Sequence, residues 1–195
     1  MNWSLNVYPL LQPGLSELYT KIRGKSQPNK GLWISTRLHD ELMWFLHHFE
    51  ESDGVCLMDT QAWSVDEADA VFLADTCPFG MGFWSPMLLQ GFHHAITKPA
   101  LLKNNLIFFK EAYMVISALL YAVQQIHPIP KQIVIHTDSS NRVDLFNTLH
   151  AKQGYNPLLL TAINLMLKYH VQLHVDWISG SENAVADALS CLDND

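Results

Sequence analysis

The stretch Ala70–Trp84, AVFLADTCPFGMGFW, constrains the fold more than any other part of the chain. Val71, Phe72, Leu73 and Ala74 form a continuous apolar run that a half-exposed strand would not carry, so the run predicts a central strand covered on both faces. Asp75 stands where that strand ends. A charge at the end of a buried strand is costly unless it is paired or binds a metal, which makes Asp75 a candidate functional residue. Behind it, Pro78, Gly80 and Gly82 read as turn chemistry, and Met81, Phe83 and Trp84 resume an extended run.

A chain of 195 residues, 49% of them hydrophobic, can bury one full core with a smaller appendage. Cys56, Cys77 and Cys191 are far apart, with neither a disulfide framework nor zinc spacing, so a reduced intracellular setting, cytoplasm or nucleus, is the expectation. The first residues have no basic segment followed by a long apolar one, and no apolar run is long enough to span a bilayer. The formal charge of −7 argues at first against nucleic acid. From Ala70 onward, however, seven Lys and Arg stand against nine Asp and Glu, and divalent cations on four of those acids would remove the acidic excess.

Residues 1–64 read as an extension rather than a complete domain. Pro13-Gly14 interrupts an apolar lead-in, and Leu15 to Ile22 can form a short helix. Lys21, Arg23, Lys25 and Lys30 lie in a polar stretch that reads as a solvated linker in preference to a phosphate-contacting loop. Ser35 or Thr36 can cap a second helix with Leu38, Leu42, Phe45 and Phe49 at helical spacing. His47 and His48 on that helix are neighbours in sequence and should point apart, which predicts solvent exposure rather than joint metal ligation. A short extended piece is plausible between Gly54 and Trp63.

After the hairpin, Met87 to Ala95 and Leu106 to Phe109 read as extended runs. Ala112, Val115, Ile116, Leu119, Ala122 and Val123 share a helical stripe, so a helix is expected from about Glu111 to before His127-Pro128, with Glu111 in its first turn. There an acid also complements the helix dipole. Gln132 to Asp138, QIVIHTD, repeats the arrangement of a buried strand ending on a carboxylate. Helices follow over Val143–Leu149 and Pro157–Tyr169. Val171, Leu173, Val175 and Trp177 then alternate with Gln172, His174 and Asp176, as in a strand with one wet face. In the tail, Asn183 can cap a small-residue helix that carries Asp187 among alanines.

The predicted order of elements is strand, hairpin strand, strand, helix, strand, helix, helix, strand, helix. With the first and fourth strands adjacent, Asp75, Glu111, Asp138 and Asp187 would converge on one edge of a mixed sheet. Four carboxylates that close cannot all stay charged without cations. Oxygen-only ligands suit Mg²⁺ or Mn²⁺, and two such ions about 3.5–4 Å apart can activate water and stabilise the leaving oxygen of a phosphodiester.

FLADTCPFGMGFW, FKEAYMVISAL, IVIHTDSSN and SGSENAVADALS resemble the four carboxylate motifs of ribonuclease H, in the form attached to retroelement reverse transcriptases. The ending NAVADALS is similar to those of gypsy-type and tyrosine-recombinase (DIRS-type) elements. The resemblance spans roughly Ala70 to Leu192. It implies an α/β, ribonuclease H-like mixed five-stranded sheet flanked by helices over residues 65–195. Residues 1–64 are similar to the tract that joins polymerase to ribonuclease H. It also implies that Asp75, Glu111, Asp138 and Asp187 are both catalytic residues and ligands of two Mg²⁺ or Mn²⁺ ions. The implied reaction is hydrolysis of the RNA strand of an RNA–DNA hybrid, with a polymerase domain or subunit as a possible partner.

The match has departures. Trp177 stands where many relatives have a histidine, as it does in tyrosine-recombinase-type elements, and Cys191 replaces the arginine expected after ALS. No YxDD-like pair is present, so the chain is not itself a polymerase. Integrases and transposases place their Glu after both Asp residues, and proofreading exonucleases carry DxE on the first strand, so both are excluded by order. The alternative function is a catalytically silent scaffold or nucleic-acid-binding module of the same fold, suggested by the sparse basic residues and the missing arginine.

Overall fold

The computed structural model describes residues 5, 8–27, 31–51, 63–96, 106–152 and 154–192, of which residues 106, 107, 141 and 142 are described by their backbone alone. Lys30, Cys56 and the extended piece expected within residues 54–63, apart from Trp63, lie outside the described residues. The chain divides into two compact units: Met1–Ala62 with Leu149–Asn156, and Trp63–Thr148 with Pro157–Asp195.

In the first unit a 3-10 segment, Pro9–Leu15, leads into helix α1 (Ser16–Ile22), followed by helix α2 (Thr36–Glu51). Ser35 caps α2, its Oγ accepting from the Leu38 N–H at 3.4 Å. Leu11, Leu15, Leu38 and Phe45 form the apolar centre, and Phe49, expected on the same stripe, is 41% exposed. Glu41 is buried among them. Its Oε2 accepts from the Glu17 N–H at 2.7 Å and its Oε1 from Asn156 Nδ2 at 2.8 Å, while that same Nδ2 donates to the Pro13 carbonyl at 2.9 Å. Burial is the main reason the Glu41 carboxyl is pushed above its ordinary value, with these two hydrogen bonds pulling the other way.

The second unit is built on strands β1 (Ala70–Thr76), β2 (Gly80–Ser85), β3 (Gln90–Ala95), β4 (Gln132–Thr137) and β5 (Gln172–Trp177) in the order β3-β2-β1-β4-β5. β1, β2 and β3 are antiparallel neighbours, whereas β4 lies parallel to β1 and β5 parallel to β4. Helices α3 (Leu106–Gln125), α4 (Ser140–Asn147), α5 (Asn156–Tyr169) and α6 (Ala184–Ser190) complete the chain. This is the mixed five-stranded sheet flanked by helices that the ribonuclease H resemblance implies. β1 and β4 hold its centre: Phe72, Ile133, Val134 and Ile135 are fully buried, each contributing about 1.5–3 kcal/mol of burial free energy.

The α3 stripe packs as expected, with Ala112, Val115, Leu119, Ala122 and Val123 buried. The helix begins earlier than its periodicity predicts. Leu106–Phe109 is its opening turn rather than an extended run, so Glu111 falls in the second turn and the first turn holds no acid. Four consecutive apolar residues carry no period of their own, and here the downstream helix absorbs them. Met87–Leu89 likewise forms part of a turn, and β3 starts at Gln90. Asn147 ties α4 to the outer strand: its Nδ2 donates to the Val175 carbonyl at 2.7 Å and its Oδ1 accepts from the Val175 N–H at 3.1 Å. At the entrance to the sheet, Asp69 Oδ2 accepts from the Lys131 and Gln132 N–H groups at 2.7 and 2.9 Å, fixing the start of β4 against that of β1.

Gly80 and Gly82 are strand residues with a different duty from the turn chemistry expected of them. A Cβ at Gly82 would lie 2.7 Å from Leu189 Cβ and 2.8 Å from the Ser190 N, so β2 has no side chain there because α6 lies directly on it.

Candidate active site

β1 and β4 pair in parallel with Leu73 opposite His136. Two residues further along the same register, Asp75 and Asp138 come level with each other at the C-terminal edge of the sheet. Asp75 is half-buried, and Asp138, just beyond β4, is exposed. The last helix supplies the next carboxylate. Asn183, buried at the start of α6, donates from Nδ2 to the Ala74 carbonyl at 3.3 Å, and the glycine of β2 admits the helix, so Asp187 in its first turn is brought toward the end of β1. Ser190, one turn on, donates its hydroxyl to Asp75 Oδ2 at 2.6 Å, and the same Oγ lies 3.0 Å from the Asp187 carbonyl.

The electrostatics of Asp75 record this crowding. Its carboxyl is pushed above the ordinary range first by burial, and further by the charges of Asp138 and Asp187; the Ser190 hydroxyl and the Thr76 N–H oppose the shift. Among the described residues, no cation is among the groups acting on it. Glu111, half-buried on α3, is not among them either. Its neighbour Lys110 nevertheless reaches the same edge, donating from Nζ to the carbonyl of Pro78, three residues beyond Asp75, at 3.1 Å. Asp75, Asp138 and Asp187 thus form an electrostatically coupled group, with the helical turn bearing Glu111 set against the loop beside it.

A half-buried carboxylate repelled by two others, with no base among the described residues acting on it, is a fit for a hard divalent cation, and the donor set is all oxygen. The grouping is open: among the described residues, no three of the four acids bring ligand oxygens within 4.8 Å of one another. The described residues that do meet the 4.8 Å spacing are His47, His48 and Glu51, which corrects the expectation that the two histidines point apart.

Trp177, expected in phase with the core, is 54% exposed, because β5 is leaving the core at its last residue. Its indole N–H donates to the Asp138 carbonyl at 3.0 Å. His136 faces Asp176 across β4 and β5, with Nδ1 3.7 Å from the carboxylate, and burial lowers its pKa against the pull of that charge. Sequence reasoning assigned no role to Ser190 and read Asn183 only as a cap. The available signal was a small polar residue buried in an alanine-rich helix, which needs a hydrogen-bond partner.

No protein-family model and no curated protein matches this chain. Among solved structures it is similar to the N-terminal RNase H domain of rv2228c from Mycobacterium tuberculosis, solved as a fusion with maltose binding protein, at 20% identity and a TM-score of 0.47 over 62% of this chain and 88% of that one. RNase H1 from the halophilic archaeon Halobacterium salinarum NRC-1 is similar at 16% identity and a TM-score of 0.48, over 65% and 98%. The foamy viral protease-reverse transcriptase in complex with RNA/DNA hybrid is similar at 14% identity and a TM-score of 0.44, over 89% of this chain and 28% of that one.

Proposed function

We propose that the chain is a retroelement-derived ribonuclease H that hydrolyses the RNA strand of RNA–DNA hybrids, with residues 65–195 as the catalytic domain and residues 1–64 as part of a polymerase connection. The observation that carries this reading is the half-buried Asp75 carboxyl, level with Asp138 across the parallel β1/β4 pair and repelled by both Asp138 and Asp187. Asp75, Asp138 and Asp187, with Glu111 from α3, would hold two Mg²⁺ or Mn²⁺ ions. When bound, such ions lower the pKa of an attacking water and stabilise charge on the leaving oxygen.

The protein residues supply the preorganisation. Ser190 orients Oδ2 of Asp75, and the Thr76 N–H also holds the carboxylate. Asn183 and the bare backbone of Gly82 hold α6 at the depth that delivers Asp187. Trp177 steadies the backbone of Asp138 and offers an exposed aromatic face beside it, suited to the sugar of a bound strand. A hybrid would be read by its shape and 2′-hydroxyls rather than by base sequence.

The open spacing of the acids favours a second reading, a catalytically silent module of the same fold. Incubation with a hybrid labelled in its RNA strand separates the two. The nuclease reading expects Mg²⁺- or Mn²⁺-dependent cleavage that is lost in Asp75→Asn; an intact RNA strand under both metals favours the silent module.

A further inference from the structure

The last turn and a half of α2 carries a group of nitrogen and oxygen ligands that the nuclease reading does not use. His47, His48 and Glu51 each offer one ligand atom, and the three lie within 4.8 Å of one another. His47 Nε2 and Glu51 Oε2 are 3.3 Å apart, close to the edge of a tetrahedron around an ion bound at about 2.0–2.2 Å. Neighbouring residues on a helix start about 100° apart, yet these imidazoles lean together, with ring centroids at 5.1 Å. Trp44, one turn back, sets the second ring: it meets His48 edge to face at a centroid separation of 4.6 Å. Side-chain packing thus prepares part of the convergence, and His47–Glu51 prepares the rest.

The position also suits a cation. The group occupies the C-terminal end of a 16-residue helix, where the negative end of the macrodipole favours positive charge. Two imidazoles and one carboxylate select borderline divalent ions such as Zn²⁺, Co²⁺ or Ni²⁺, whereas Mg²⁺ prefers oxygen and keeps its water.

We propose that His47, His48 and Glu51 form a surface site for a divalent transition metal, Zn²⁺ by chemical preference, with water completing the coordination. An ion held there cross-links residues 47, 48 and 51 and clasps the end of α2. The site is independent of the acids proposed for nuclease activity.

The test is Zn²⁺ titration of the full chain by calorimetry in millimolar Mg²⁺, with Co²⁺ absorption as the spectroscopic readout of nitrogen ligation. The site is expected to bind one equivalent that Mg²⁺ does not displace. His47→Ala and His48→Ala should each weaken that binding by at least about tenfold, with a smaller loss in Glu51→Gln. Asp75→Asn, Cys77→Ser and the pair His93→Ala with His94→Ala should retain it. Binding unchanged in both His47→Ala and His48→Ala, displacement by Mg²⁺, or loss in the His93 and His94 pair would overturn the proposal. All of these variants replace side chains outside the buried core, and a circular dichroism spectrum matching wild type confirms that a lost equivalent is a lost ligand.

Discussion

Ser190 donates its hydroxyl to Asp75 Oδ2 at 2.6 Å, joining the end of the last helix to the end of the first strand across 115 residues of sequence. The bond lowers the cost of keeping Asp75 ionised in a half-buried position beside two other acids. Ser190→Ala leaves that oxygen without its donor and is expected to cost about 1–2 kcal/mol in denaturant unfolding at neutral pH. Because the bond opposes the upward shift of the Asp75 pKa, the loss should shrink as the solution is acidified and Asp75 takes up a proton. A loss that stays constant with pH would show that Ser190 acts by packing alone.

Gly82 sets the seat of α6. An added methyl meets Leu189 Cβ and the Ser190 backbone inside 3 Å, and neither is the far end of a flexible side chain. Gly82→Ala should therefore destabilise by about 1–3 kcal/mol through overpacking, and should weaken divalent-ion binding because Asp187 moves with its helix. Thermal melting with and without Mg²⁺ reads both effects; an unperturbed variant would mean that α6 does not rest on β2.

Glu41 gives the first unit a pH dependence of definite sign. Burial raises its pKa above the ordinary 4.5, so its stabilising contribution is fully present below the unfolded-state pKa and lost as pH rises through the raised folded value. Glu41→Gln cannot ionise. The stability of wild type relative to this variant should be flat at low pH and fall as pH rises from about 4.5 through the folded pKa. A difference that grows in favour of wild type over that range would contradict the sign.

The centre of the sheet was legible because its signals are local. Val71–Ala74 and Ile133–Ile135 are apolar runs that end on carboxylates, and two such strands side by side already set Asp75 level with Asp138. The helical stripe from Ala112 to Val123 was equally plain. What stayed hidden depends on residues distant in sequence. Gly80 and Gly82 carry no mark of the helix that lies over them, and Glu41 looks like any exposed helix acid until Asn156, 115 residues away, donates to it. Trp177 keeps the period of a core residue and is exposed because the strand outruns the core there. For His47 and His48 the spacing argument was sound for the backbone and failed for the rings, which packing against Trp44 and pairing with Glu51 redirect.

The account rests on Asp75, Asp138 and Asp187 acting as one cation-holding group. Its most direct measurement is the melting temperature of the full chain and of Asp75→Asn over a Mg²⁺ titration into the millimolar range. Wild type is expected to rise with Mg²⁺, by the linkage between binding and folding. Asp75→Asn, relieved of one repelling charge, should melt higher than wild type without metal and respond little to it. Equal Mg²⁺ responses in the two proteins, or none in wild type, would contradict the account.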